Sequence, residues 1–598
     1  MNIARTIRSI NRKNVGRSFY RKFRFSAANY ESSEATHPKV QEEKFDFEDL
    51  KVIERTERRK PKIEPFMKNI FASIFDREML AYPEILNKEE SEALDDRVAA
   101  LDSIFGDPNK TKEERLEALK RANMFAAPVS LTDGGLASNN TESLRYLEVI
   151  ASDLQLVQTI SDHWVALHAL KIGLTPEQYQ QIIGDLITGE NTISLCIKER
   201  LNDRILQPDF RSKAELDGQE IWRVTGEKVC LQPKGYLLVL CQVEGERLRG
   251  MLIHPGAKDV VHNGQFVTFQ RTPATPLSEA SEPALAQILG LSRLYSAAIC
   301  RTALRHAMDS CVNFVKPRVV SGKSLAELST TRTTIGDTFM DLYASESAEY
   351  FTAGLLDGYL EPDAEVEMAM CRNFIANQSL ATLLRLQEIP SVEGEEEWDQ
   401  RLREMRRLAS KGETLDGINM FIALNGIHQA GKKMSGEIRQ MRNPLLNPSF
   451  IFRKILADRH QERDEPKLTL QLSEHLHPSL RRSSELLEYC VLRMRYACET
   501  LMARHGMEVS LNATVALIPF SLCPRSYCIG IRHAELEMKL AACFVEKTKD
   551  KVQKLIKDID GGEYLNLDHY KIHFGRKVFE VNPADPILVE KPTARVFW

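Results

Sequence analysis

Few residues of this chain are placed for chemistry by type and spacing alone. Glu413 follows Gly412 in the segment Ser410-Lys-Gly-Glu-Thr414. A loop carboxylate can act as a general base when a cleft surrounds it, and is otherwise simply exposed to solvent. Arg318 is a lone cation, suited to an anion or to a surface or interface contact. His475 and His477 have no second pair at metal-ligand spacing, so no metal site is expected. The 11 cysteines are odd in number and scattered, with no Cys-x-x-Cys pair. That usage fits a reducing compartment and buried, inert thiols. A P-loop, a Gly-x-Gly-x-x-Gly fingerprint and a Gly-x-Ser-x-Gly elbow are all missing.

The elements that would position these residues are many. At 598 residues the chain is too long for one simple domain, and length alone suggests roughly three to five domains' worth of core. A formal net charge of −4 argues against a nucleic-acid partner, which usually calls for a basic excess. No apolar run approaches the ~20 residues of a transmembrane helix. Charge is strongly segregated only at the start. Arg5, Arg8, Arg12, Lys13, Arg17, Arg21, Lys22 and Arg24 precede the first acid, Glu31, with Ile3, Ile7 and Ile10 at helical spacing. An Arg-rich, acid-free, amphipathic start has the composition of a mitochondrial transit peptide, assigned to residues 1–40.

Periodicity then divides the chain. From 65 to 190 the spacing predicts helices, among them Glu89 to Leu101 and one continuous pattern from Ser143 to Leu170. Thr175-Pro-Glu-Gln178 reads as a capped helix start, and Gly189 as a left-handed end. From 191 to 277 the period becomes two. Strands are expected at Ile221–Thr225, Lys228–Leu231, Tyr236–Cys241, Gly250–His254 and Gln265–Phe269, with turns at Asp217-Gly, Pro233-Lys-Gly and Asn263-Gly. From 278 to 435 helices return, at Leu289–Phe314, Thr338–Leu360 and Glu367–Leu386. The acidic stretch Glu393–Glu397 reads as a solvated loop. A last helical region, 436–598, contains a Pro/Asn/Arg-rich segment, Arg442 to Pro448, and after it Leu480–His505 and Ile529–Ile559. The expected class is mainly α with a small central β module.

Several stretches from about Pro65 to Glu580 resemble acyl-CoA dehydrogenases. Phe125-Ala-Ala-Pro-Val with Asp133-Gly-Gly-Leu136 is similar to the family's "Pro-x-x-Tyr-Gly-Gly" segment. Ile172-Gly-Leu-Thr-Pro-Glu-Gln-Tyr with Gly184-Asp-Leu-Ile-Thr-Gly-Glu190 resembles its "Gly-Thr-Glu-Glu-Gln-Lys…Leu-Ala-Ser-Gly-Glu" run. Trp222-Arg-Val-Thr-Gly-Glu-Lys-Val resembles a strand-turn-strand, and Met420 to Gly431 the helix after the catalytic loop. His477-Pro-Ser-Leu480 and Ser521 to His533 resemble the extra C-terminal helical domain of the very-long-chain members. They equally resemble a close relative that helps assemble respiratory complex I.

The resemblance implies the acyl-CoA dehydrogenase fold plus that extra domain, a homodimer, FAD as cofactor if active, and mitochondrial protein partners. It also implies peripheral contact with the inner membrane, at the basic amphipathic segment Ser449 to Arg459. It weakens where the chemistry should be. Aligned on Arg403-Glu-Met-Arg406, the catalytic Glu of "Phe-Glu-Gly-Thr" falls on Gly412, which cannot take a proton. Glu413 is the fallback base. The flavin-ring segment "Thr-Glu-Pro-x-x-Gly-Ser-Asp" becomes Cys196-Ile-Lys-Glu-Arg-Leu-Asn-Asp-Arg204. The "Trp-Ile-Thr-Asn" strand becomes Cys230-Leu-Gln-Pro233. At the flavin pyrophosphate, Arg318 keeps the cation of "Arg-x-Gln-Phe-Gly", but Gln and Phe are lost. The glycine-rich "Gly-Gly-x-Gly-Tyr" becomes Glu388 to Gly394, with acid near the phosphate position. The expectation is a mitochondrial scaffold or assembly factor without catalysis and without cofactor. The alternative is an active FAD-dependent acyl-CoA dehydrogenase of fatty-acid β-oxidation.

Overall fold

The computed structural model describes residues 59–580 except 63, 81–82, 200–210, 231–234, 245–246, 279–281, 391–392, 444, 460–464, 505–534 and 562–567. The expectations for residues 1–40, Pro233 and Ser521 to His533 lie outside the described residues.

Strand β1 (Lys60–Lys62) and helix α1 (Phe66–Ile70) lead into α2 (Lys88–Phe105), α3 (Lys112–Arg121), α4 (Asn140–Ile150), α5 (Leu154–Gly173) and α6 (Pro176–Ile187). Local chemistry sets these bounds. Asn87, Thr111, Asn139 and Thr175 each close a capping box with the Glu or Gln three residues on, so orphan amides of each first turn are satisfied. Gly189 takes φ +72° after α6, as its position suggests. The single helix expected from Ser143 to Leu170 is instead two. The Asp153 side chain accepts the amides of Gln155 and Leu156 and starts α5 afresh. An Asp inside a hydrophobic period competes for the backbone in this way.

The β module holds β2 (Ile193–Cys196), β3 (Lys213–Leu216), β4 (Trp222–Val229), β5 (Tyr236–Val243), β6 (Arg247–Ile253), β7 (Val260–Asn263) and β8 (Phe266–Pro276). Its strands run β2-β5-β3-β4-β8-β6, and β6 also pairs with β5, which closes the path. The module has its own core, including Val224, Leu237, Val239, Met251, Val267 and Phe269. The two strands expected at Ile221–Thr225 and Lys228–Leu231 are one. The register shifts between Val224 and Gly226, so a bulge replaces the expected turn.

Helices follow: α7 (Glu282–Val315), the hairpin β9 (Val319–Val320) and β10 (Lys323–Ser324), α8 (Ser329–Gly358), β11 (Tyr359–Glu361), α9 (Glu365–Leu386), α10 (Glu395–Ala409) and α11 (Leu415–Lys433). Three of the acids expected in a loop, Glu395 to Glu397, form the first turn of α10. There they face the positive helix end, and buried Trp398 anchors the turn. The last region holds α12 (Ser435–Arg442), α13 (Pro448–Arg459), α14 (Arg481–Arg504), α15 (Glu535–Gly561) and α16 (Asp568–Glu580). Helix α15 docks on the preceding bundle. Lys547 reaches Asp341 at 3.0 Å and Asp337 at 3.6 Å, and Phe544 meets Phe374 edge-on.

One buried acid sets a pH dependence. Glu367 opens α9, and one of its oxygens accepts the Met67 amide at 2.9 Å. The other has no partner among the described residues. Burial pushes this carboxyl from 4.5 up to about 7, partly offset by the Met67 amide. Because the folded value lies above the unfolded one, the stability Glu367 contributes is present below 4.5 and is lost as pH rises to about 7. Glu367→Gln should flatten that loss. Urea unfolding at pH 5 and pH 8 should show the variant losing less stability than the native chain over that interval. An equal loss in both would contradict this assignment.

Candidate functional site

Helix α10 ends and α11 begins around a five-residue loop, Ser410–Thr414. Thr414 caps α11 by accepting the Gly417 amide at 3.1 Å. The turn itself is tight: the Glu413 amide donates to the Lys411 carbonyl at 2.9 Å, across Gly412. Gly412 sits at φ +76°, in the left-handed region. A Cβ built there meets nothing within 4 Å. Backbone conformation, rather than space, therefore favours glycine at this position.

Glu413 is not the solvated loop carboxylate that the sequence suggests. It is 6% exposed. The Arg293 guanidinium of α7 donates to both its oxygens, each bond 2.6 Å long. Arg293 in turn stacks over the Phe421 ring, 4.3 Å from the centroid. A bidentate, largely desolvated pair of this kind fixes carboxylate position and occupies both oxygens. A base needs a free oxygen aimed at substrate, and this geometry does not offer one.

Other elements hold the same loop. Arg372 of α9, 1% exposed, donates to the carbonyls of Leu408 and Lys411. Lys411 reaches back to Asp162 of α5 at 2.6 Å. Burial raises the Asp162 carboxyl, and Lys411 opposes that rise. Just past β2, Lys198 sends its ammonium to the Ser410 carbonyl at 3.1 Å.

The flavin-ring segment is described only through Glu199. There Glu199 and Lys228, both buried, form an ion pair of 3.0 Å. Glu199 also accepts the amides of Arg211 and Ser212, and Lys228 donates to the Ile197 carbonyl. Cys230 is buried in the module core. At the other end, Arg318 stacks on the Phe314 ring and pairs with Glu393. The two segments expected at a pyrophosphate are thus joined to each other, and the one retained cation is already matched. These contacts do not fit a flavin. Lys198 bonds the Ser410 carbonyl in the segment aligned with the flavin ring, where the resemblance implies hydroxyls and close-approach backbone, and Glu393 pairs with the cation aligned with the pyrophosphate.

His477 caps a short turn, accepting the Ser479 amide. Among the described residues, no group of three or more His, Cys, Asp and Glu could hold a metal ion. Sequence reasoning missed Arg293, Arg372, Lys411 and Asp162. A signal existed for Arg293. It shares a helical face with the buried Ser296, Ala297 and Cys300, and a charge on such a face requires a partner.

No protein-family model matches the chain. It is similar to the mitochondrial very long-chain specific acyl-CoA dehydrogenase of Homo sapiens, at 21% identity over 471 residues, covering 72% of each chain. The Rattus norvegicus enzyme of the same name is 22% identical over 472 residues, with the same coverage. Among solved structures, an acyl-CoA dehydrogenase complexed with FAD from Bacillus anthracis superposes with a TM-score of 0.65 at 14% identity. That match covers 86% of this chain and 96% of the other. An acyl-CoA dehydrogenase from Geobacillus kaustophilus gives 0.51 at 15% identity over 57% of this chain and 98% of its own. These structures share the fold: mainly helical, a small central β module, and here an extra helical region after it.

Proposed function

We propose that the chain, which is similar to acyl-CoA dehydrogenases in sequence and fold, is a member of that family without dehydrogenase activity, acting in mitochondria as a dimeric scaffold or assembly factor. One observation carries this reading. The expected base position is Gly412, and the neighbouring carboxylate, Glu413, has both oxygens bound to Arg293. Proton abstraction alpha to a thioester has no free carboxylate at this loop. The Arg318–Glu393 and Lys198–Ser410 contacts support the same reading for the cofactor. Respiratory complex I is the partner that the resemblance to its assembly relative suggests.

Dye reduction with palmitoyl-CoA and added FAD tests the chemistry. No turnover is expected. Turnover that Glu413→Gln removes would restore the alternative, an active FAD-dependent dehydrogenase with Glu413 as its base.

The location is proposed on two grounds. The names of the curated relatives place them in mitochondria, and residues 1–40 carry an import-like face. Fused to a reporter, residues 1–40 should direct it to mitochondria, and Arg5, Arg8 and Arg12 changed to Glu should abolish this. A reporter that stays cytosolic with the native segment would contradict the assignment.

Membrane contact is proposed for α13. Phe452, Ile455 and Leu456 are 65%, 46% and 38% exposed, with Arg453 beside them. A basic amphipathic helix of this kind suits an anionic interface. Cosedimentation with cardiolipin vesicles should fall for Ile455→Glu with Leu456→Glu. Equal cosedimentation of variant and native chain would argue against it.

A further inference from the structure

Helix α10 has a polar side as well as the loop at its end. Glu397, Gln400, Arg401 and Glu404 recur at spacings of three and four, so they share one face of the helix. Together with α3, the start of α5 and the middle of α7, that face walls a cavity of ≈ 450 Å³, a size that takes a small organic molecule. None of its lining residues lies in Ser410–Thr414, and none is among the side chains that hold that loop. Room exists there because α7 carries Ala303 and Ala307 one turn apart, where larger side chains would fill the space.

Part of the lining is apolar. Ala307, Leu383 and Met405 are all buried, and they offer a bed for a hydrocarbon chain. The charges around it are mostly matched. Arg401 donates twice to Glu397, at 2.6 and 3.1 Å, and once to Ser310, at 2.9 Å. Arg115 stands 3.9 Å from Asp153, whose carboxylate also accepts the Gln155 and Leu156 amides. Burial holds His306 below its ordinary value, and Arg401 and Arg305 act the same way against Asp309. Its ring is therefore neutral at physiological pH. Glu404 is the exception. Gln400 donates to one of its oxygens at 2.9 Å, and no cation pairs with it among the described residues. Two guanidiniums thus face three carboxylates around one cavity. The unmatched negative charge on a partly enclosed wall favours a positive ligand.

We propose that this cavity is a binding site for an aliphatic ammonium ion, with the amine on Glu404 and the chain against Ala307, Leu383 and Met405. An ammonium brings three donors and no acceptor, which suits the Glu404 carboxylate. A carboxylate or phosphate ligand would instead meet like charge. The site goes beyond the non-catalytic reading and uses none of the residues on which that reading stands.

Isothermal titration of the full-length chain at neutral pH tests this with probes of one chain length: hexylamine, hexanoate and hexanol. Hexylamine should bind about ten-fold or more tighter than either of the others, the affinity that a hydrogen bond to a charged group carries. Glu404→Gln keeps the shape and removes the charge, and should bring hexylamine down to the affinity of hexanol. Ala303→Leu, which fills the space, should weaken both. Hexanoate or hexanol binding as tightly as hexylamine would overturn the site. So would a native chain that binds no hexylamine, or equal hexylamine affinity in native and Glu404→Gln chains. Should a variant fail to fold, the three probes on the native chain decide by themselves. None of these results bears on the non-catalytic reading, which has its own test in dye reduction.

Discussion

Replacing Arg301 with Met should destabilise the protein by about 3–5 kcal/mol at pH 8, the cost of removing one partner from a buried ionic cluster. Arg301 lies on α7 and is 1% exposed. It donates to Glu349 of α8 at 2.7 Å and to Glu148 of α4 at 2.5 Å, and approaches Glu346 at 3.7 Å. Tyr350 adds a hydrogen bond to Glu148 at 2.8 Å, and Arg145 another at 3.1 Å. Three helices thus meet on one guanidinium, and Met fills similar volume without supplying charge.

The pH dependence separates this from a packing loss. Burial pushes the Glu349 carboxyl from 4.5 up to about 7, even with Arg301 beside it. The stability it contributes is therefore present below 4.5 and lost as pH rises through about 7. Without Arg301 its ionised form is disfavoured further, so the variant's deficit should be larger at pH 8 than at pH 5. Glu148 runs the other way. Burial works against its charge, but Arg301, Tyr350 and Arg145 together hold its carboxyl below the usual value. Its contribution is present above that usual value and lost in acid, and most of it goes with Arg301. Urea unfolding of native and variant chains at both pH values reads the two effects. A deficit below about 1 kcal/mol, or one independent of pH, would show that the cluster is not held by Arg301.

Gly412→Glu should recover no dehydrogenation. Losing a general base by itself typically costs ~10²–10⁴-fold in rate, so its restoration in an otherwise intact site would give a gain of that size. Here the gain should be absent. The new carboxylate would sit at φ +76°, which costs a non-glycine residue roughly 1–2 kcal/mol. It would also lie in a loop fastened by Lys198, Arg293 and Arg372. Dye reduction with palmitoyl-CoA and excess FAD checks the rate, and urea unfolding checks the strain. A gain of a hundred-fold from this single change would mean that the flavin contacts are intact, against the reading of Lys198 and of Arg318 with Glu393.

The framework was legible in the sequence because it is written in short-range chemistry. Capping pairs such as Thr175 with Gln178 mark helix starts directly, and the unbroken apolar run over Tyr236–Cys241 marks a core strand. The α4–α5 break was not legible because apolar spacing continues across it, and only the Asp153 side chain decides the boundary. The bulge at Gly226 looked like a turn because glycine serves both.

The site was half legible. That Gly412 takes no proton follows from residue type alone, but that a base would stand there is what the resemblance implies. What holds the loop does not follow. Arg293 and Glu413 are 120 residues apart, and Lys198 and Ser410 are 212 apart. No local periodicity records such pairs. Glu413 read as solvated because nothing near it in the chain announces a guanidinium.

The central claim, that this chain works without acyl-CoA dehydrogenase chemistry, is tested most directly by the visible absorbance spectrum of the purified full-length chain. The predicted spectrum lacks the yellow flavin bands, and adding FAD followed by desalting leaves it unchanged. Flavin bands near one equivalent per chain, bleached by palmitoyl-CoA, would contradict the account.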